Sequence, residues 1–173
     1  MGDAAAMTTR SLTPDPTLDL VLERIVDVTP ARIFAGWTQP ALITQWFTPK
    51  PWETIAAEVE LWPGGKFHTV MRSPEGQEFP NTGCVLEVVP DRKFAWTGAM
   101  NPGFRPRASQ EMATVPFVMS AEIRLEPHGN GGTRYVATTI HGDEDSRAKH
   151  EAMGFHTGWG LALDQLLALI ERS

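Results

Sequence analysis

With 173 residues and a net charge of −6 (15 basic against 21 acidic side chains), the chain is long enough for a substantial core and lacks the basic face that non-specific nucleic-acid binding needs. It contains no run of about 20 apolar residues for a membrane-crossing helix, and no Lys/Arg cluster for anionic lipid. Cys84 is the only cysteine, which excludes an internal disulfide and fits a reducing cytoplasm.

Residues 1–16 have neither a basic start nor an apolar run; they read as an N-terminal tail, not a signal peptide, and 17–173 as a single domain. Residues 18–28 read as the first strand, because Leu18, Leu20, Leu22, Val26 and Val28 share one parity and therefore one buried face. Arg24 falls on that parity too. It is either a cation that snorkels or pairs with a carboxylate, or a charged group at a cavity mouth. Thr29-Pro30 opens a short helix, with Thr29 as cap and Ile33, Phe34 and Trp37 at helical spacing. Pro40 restarts the chain into a second, carrying Leu42, Ile43, Trp46 and Phe47. The two make a V-shaped bracket for the end of a sheet.

Strands over 54–62 and 66–72 flank Pro63-Gly64-Gly65, whose glycines supply the positive φ of a hairpin. Residues 78–89 and 94–97 form the next pair, turning at Pro90-Asp91-Arg92. Residues 99–114 lack periodicity and hold two prolines, Gly103 and Phe104, so they read as a lid or a disordered loop. Over 115–126, Val115, Phe117, Met119, Ala121, Ile123 and Leu125 alternate with polar and charged residues. The turn HGNGG leads from there to a strand over 133–141. Residues 146–170 read as one long helix, with Phe155, Trp159, Ala162, Leu163, Leu166, Leu167 and Ile170 in one apolar stripe and caps offered by residues 143–146. Its Gly154, Gly158 and Gly160 each cost a helix about 1 kcal/mol relative to alanine. They need a reason: close approach to a strand, a kink, or room for a ligand. The order of elements is α+β, an antiparallel sheet curved around one helix.

No metal or cofactor is expected. His150 and His156 are six apart and off a common helix face, and no His/carboxylate cluster or phosphate loop accompanies them. No catalytic constellation stands out; the weak candidates are His68 and His141 on strands, and Glu111 as a base if its loop folds inward. Trp46, Phe67, Trp96, Phe117, Met119, Phe155 and Trp159 are core packing or the lining of an apolar cavity. His68, His141 and His156 are the candidate polar contacts within it. On the helix, the expected ligand contacts are Met153, Phe155, His156 and Trp159.

Five segments in order, RIVDVTPARIFAGWTQPALITQWF, EVELWPGGKF, GCVLEVVPDRKFAWT, GGTRY and HEAMGFHTGWGLALDQLLALI, resemble the START-like (SRPBCC) superfamily. Within it they are similar to the branch of activator of heat-shock-protein-ninety ATPase homologues. The resemblance spans residues 18–170 and implies a helix-grip fold, in which a curved sheet grips the C-terminal helix around a deep apolar cavity. It implies a small apolar or aromatic ligand as partner. Two alternatives come with it: a cyclase- or aromatase-like enzyme using a cavity His or Glu, and a co-chaperone that stimulates a heat-shock chaperone ATPase. An exposed edge strand leaves a homodimer open. One departure concerns the strand before Pro-Gly-Gly. The family often places Asp and Arg there; this chain has Glu60 and Trp62, and the rim becomes more apolar.

Overall fold

The computed structural model describes residues 12–173. Most of the expected tail, 1–16, lies outside the described residues. From Asp15 the chain is held, the Asp15 carbonyl accepting from the backbone N–H groups of Leu18 and Asp19. In chain order the elements are β1 (Asp19–Val26), α1 (Pro30–Thr38), α2 (Pro40–Trp46), β2 (Glu53–Val59), β3 (Lys66–Arg72), β4 (Glu78–Val89) and β5 (Lys93–Thr97). There follow β6 (Met100–Asn101), β7 (Arg105–Pro106), α3 (Ser109–Met112), β8 (Met119–His128), β9 (Gly132–His141), α4 (Glu144–Ala152) and α5 (Phe155–Arg172).

Consecutive hairpins build a seven-stranded antiparallel sheet in the order β1-β9-β8-β5-β4-β3-β2, with β1 and β2 as its edges. Period-two alternation sends Phe67, Phe94, Trp96, Ile123, Leu125, Tyr135 and Ala137 to one face, where they meet Ala162, Leu163, Leu166 and Ile170 of α5 in a single core. The opposite face carries charge. Arg134 bridges Glu23 at 2.6 Å and Glu126 at 2.7 Å, and Arg124 reaches Glu126 at 3.2 Å. This is the helix-grip fold, and α1 and α2 close one end of it. Gln165 on α5 donates to the carbonyls of Trp46 (2.8 Å) and Thr48 (2.9 Å), and Arg32 on α1 donates to the Ile170 carbonyl at 2.7 Å. Trp46 ties the bracket to itself through the Gly36 carbonyl, 2.9 Å away.

Five sequence expectations change. The long terminal helix is two helices, because Gly154 adopts a left-handed conformation (φ 92°) that stops α4 and starts α5. Asp143 caps α4 as expected, accepting from the Ser146 N–H at 2.7 Å. Residues 99–114 are an ordered strap of β6, β7 and α3 rather than a structureless loop. The strap is fastened where Gly103 donates to the Gly64 carbonyl at 2.7 Å and the Phe104 ring lies against Gly64. The strand expected from Val115 begins at Met119, since Pro116 has no N–H for a ladder. The strand before Pro63 ends at Val59. Beyond it the chain turns so tightly that a Cβ on Gly65 would strike the Glu60 carbonyl, leaving Leu61 and Trp62 exposed. Finally, Thr29 precedes α1 without a side-chain capping bond.

Candidate functional site

Between the sheet and α5 lies a layer of aromatic rings. Trp37 sits at its centre, with ring centroids 4.9 Å from Trp46, 5.4 Å from Trp96 and 6.3 Å from Trp159. Phe67 extends the layer to Trp96 at 4.8 Å and Phe94 at 5.3 Å. The rings come from α1, α2, β3, β5 and α5, with Phe94 and Trp96 sharing β5, and each points inward by the alternation or helical spacing of its element. The rings stand at contact distance. Open volume of about 500 Å³ lies instead beside α2, in a cleft flanked by Lys50, Trp52 and Arg72.

The layer contains polar atoms that do not fit an ordinary core. The Thr139 hydroxyl is buried and has no hydrogen-bond partner among the described residues, and the buried Trp37 indole N–H faces the Tyr135 phenol without a well-formed hydrogen bond. Tyr135 is fully buried, and burial raises its phenol well above the usual range, although the Trp37 N–H and the Arg24 charge oppose the shift. Arg24, its neighbour across the β1–β9 ladder, reaches over the sheet to α5. There it binds Asp164 at 2.8 Å and lies 3.4 Å from the Gly160 carbonyl. Of its two sequence readings, the carboxylate pair is the one the structure shows.

A second cluster closes the far end. His141, the last residue of β9, has Nδ1 2.8 Å from the Leu18 carbonyl and Nε2 2.9 Å from Nδ1 of His150 on α4. A carbonyl only accepts, so His141 carries its proton on Nδ1, and its Nε2 accepts from the Nδ1–H of His150. Phe117 stacks on the His150 ring at 4.5 Å and 28°, and Phe155 meets it edge-on at 5.2 Å. Burial first, and then His141, pull the His150 pKa down to about 4, so the ring is neutral at pH 7.

The expected site residues therefore separate. Trp46, Phe67, Trp96 and Trp159 meet in the ring layer; Phe117, His141 and Phe155 meet in the histidine cluster, where Met119 faces His141 across the β8–β9 ladder. His68 lies on the opposite face of the sheet, its Nδ1 2.7 Å from the Thr82 hydroxyl. Glu111 is on the surface, where its carboxylate accepts from the Ala108 N–H at 2.9 Å and so serves the turn of α3. His156 is exposed, and Met153 is 67% exposed at the end of α4. Sequence reasoning missed Trp37 as the hub, Tyr135, and above all His150. The compact turn Gly142-Asp143 was the available signal for His150: it folds α4 straight back over the end of β9. Among the described residues no group of His, Cys, Asp and Glu could hold a metal ion. No described helix is long and apolar enough to cross a membrane.

Among solved structures, a protein of Nitrosomonas europaea is 43% identical, with 92% of this chain and 97% of that one aligned at a TM-score of 0.84. The AHSA1 protein of Silicibacter pomeroyi is 26% identical over 88% of this chain and 97% of its own, at a TM-score of 0.61. A Rhodobacter sphaeroides protein at 20% identity shares the fold over 94% of this chain and 98% of its own, at a TM-score of 0.77. No curated protein matches the chain. A sequence model described as Activator of Hsp90 ATPase homolog 1-like protein matches residues 27–171, from the end of β1 to the last turn of α5, and the chain belongs to that family, an AHSA-type branch of the START-like superfamily.

Proposed function

We propose that this domain binds a small hydrophobic or aromatic molecule between the sheet and the N-terminal half of α5. The observation that carries this reading is a pair of buried polar groups on the inner side of the sheet: the Trp37 N–H, which faces the Tyr135 phenol without a well-formed hydrogen bond, and the Thr139 hydroxyl, which has no partner among the described residues. Buried donors in native structures nearly always have a partner, and leaving one unsatisfied costs about 1–3 kcal/mol. A bound molecule with an acceptor would supply the partner, and Trp96 and Trp159 would flank its rings. Entry requires the rings to part. Gly158 and Gly160 supply slack on α5, since a Cβ on either would meet nothing within 4 Å. A cytoplasmic setting belongs to the same proposal and rests on the single, free and buried Cys84. The test is the unfolding temperature of the purified chain against a panel of lipids and aromatic metabolites. Stabilisation by at least one aromatic compound, with quenching of tryptophan fluorescence, is expected; no shift with any compound overturns the reading.

The exposed side chains of Leu61, Trp62 and Phe104 favour a second reading, a co-chaperone that docks on a large heat-shock chaperone. Retention of that chaperone on the immobilised domain, lost on Trp62→Ala, is expected; equal retention by both forms rejects it.

A further inference from the structure

The geometry points to His150 Nε2 as the hydrogen-bond acceptor for a hydroxyl group on an aromatic ligand, so that the domain selects phenols over hydrocarbons of the same shape. This rests on the ligand-binding reading above and adds the polar end of the ligand to it.

The Leu18 carbonyl fixes the first proton of the histidine pair. It can only accept, which places a proton on His141 Nδ1; holding that one proton, His141 accepts at Nε2, which places a proton on His150 Nδ1. A neutral imidazole holds one N–H, so His150 Nε2 is left as a lone pair. Among the described residues no group donates to it, and within a residue only 7% exposed this nitrogen keeps access to solvent. Its surroundings are rings: Phe117 stacked, Phe155 edge-on, and Trp159 with its centroid 6.4 Å away. Trp159 also lies 6.3 Å from Trp37, so the His150 ring adjoins the same aromatic layer as the proposed ligand.

The chemistry restricts what can bind at this nitrogen. It is a lone pair, so it recognises a donor, and a carboxylate or ether oxygen offers none. The aromatic box suits a flat ring and disfavours an ammonium or other strongly hydrated donor, whose desolvation nothing here offsets. A phenolic or enolic hydroxyl meets both requirements. The pair also holds its own geometry, because the Leu18 carbonyl and His141 fix the His150 ring before any ligand arrives.

The test compares p-cresol with p-xylene, which has a methyl group where cresol has its hydroxyl. Both are titrated at pH 7 into the full chain and into His150→Phe, with binding read by NMR. The ratio of the two dissociation constants is expected to move up to about tenfold against cresol on His150→Phe, within the net worth of one hydrogen bond. An unchanged ratio, with both compounds bound, overturns this proposal and leaves the ligand-binding reading standing. Binding of neither overturns this proposal and counts against that reading as well. A second measurement needs no variant. Long-range ¹H–¹⁵N spectra of the wild-type imidazoles should show His150 protonated on Nδ1, with an Nε2 shift that moves on adding cresol and not on adding xylene. A proton resident on Nε2, or equal response to both compounds, overturns the proposal.

Discussion

The two halves of α5 are built for different tasks. From Ala162 onward its inward residues Ala162, Leu163, Leu166 and Ile170 are buried, and both flanks are fastened, by Gln165 to the exit of α2 and by Arg32 to the last carbonyls. From Phe155 to Leu161 the same helix has two glycines facing open space, a half-buried Trp159 and exposed His156 and Leu161. Side-chain interdigitation makes the first half an anchor, whereas the second trades packing for space and loose polar atoms. An amphipathic stripe alone does not distinguish them; what lies opposite each residue does.

The strongest break of the comparison is to truncate a matched pair of leucines. Leu166 is 0% exposed and Leu161 is 48% exposed. Leu166→Ala should cost about 3–5 kcal/mol, the range for a cavity in a core that collapses only in part. Leu161→Ala should stay within roughly 0.5 kcal/mol. Urea unfolding monitored by circular dichroism gives both numbers, and similar losses from the two would show that the halves of the helix are not distinct.

A smaller effect, read by pH, comes from His150 on α4, whose ring packs on Phe155 at the start of the loose half. The folded pKa of His150, about 4, lies below its ordinary 6.5, so the unfolded chain takes up the proton first. The stability from keeping this ring neutral is fully present above pH 6.5 and is lost as pH falls from 6.5 toward 4. The loss amounts to at most about 3 kcal/mol, from roughly 1.4 kcal/mol per pKa unit. Glu23, Glu58 and Asp143, whose carboxyl pKa values are lowered by hydrogen bonds from Arg134, Lys66 and Ser146 respectively, add their own losses below that window. Urea midpoints between pH 7 and 4.5 should therefore fall for the wild type and much less for His150→Phe. Parallel slopes for the two proteins would remove His150 as the cause.

What could be read in advance follows the same division. Period-two alternation put Phe67, Trp96 and Ile123 on the inner face, and the glycine-rich turns gave the order of hairpins, because both signals are local. The stripe from Ala162 to Ile170 was legible for the same reason. His150 was not, since it is the only buried residue of the largely polar α4, and its partner is chosen by a tight turn rather than by any period. Nor does the sequence show that Glu111 spends its carboxylate on the Ala108 N–H, or that His68 faces away from the helix. A run with three glycines in seven residues offered several explanations at once, and only the backbone angle of Gly154 and the space beside the other two tell them apart.

Those glycines provide the finest test. Gly154→Ala places a side chain at φ 92°, where L residues are strained, and should destabilise by about 1 kcal/mol or more. Gly158→Ala meets nothing within 4 Å and replaces the poorest ordinary helix former with the best, so it should be neutral or stabilising by up to about 1 kcal/mol. Gly158→Leu separates space for a ligand from mere exposure. If the slack beside α5 admits a ligand, filling it should leave the unfolding midpoint near that of Gly158→Ala while weakening binding of any aromatic compound that stabilises the wild type. Undiminished binding by Gly158→Leu would place the route into the ring layer elsewhere, and the break at Gly154 would then be the next hinge to test, by asking whether Gly154→Ala slows ligand entry.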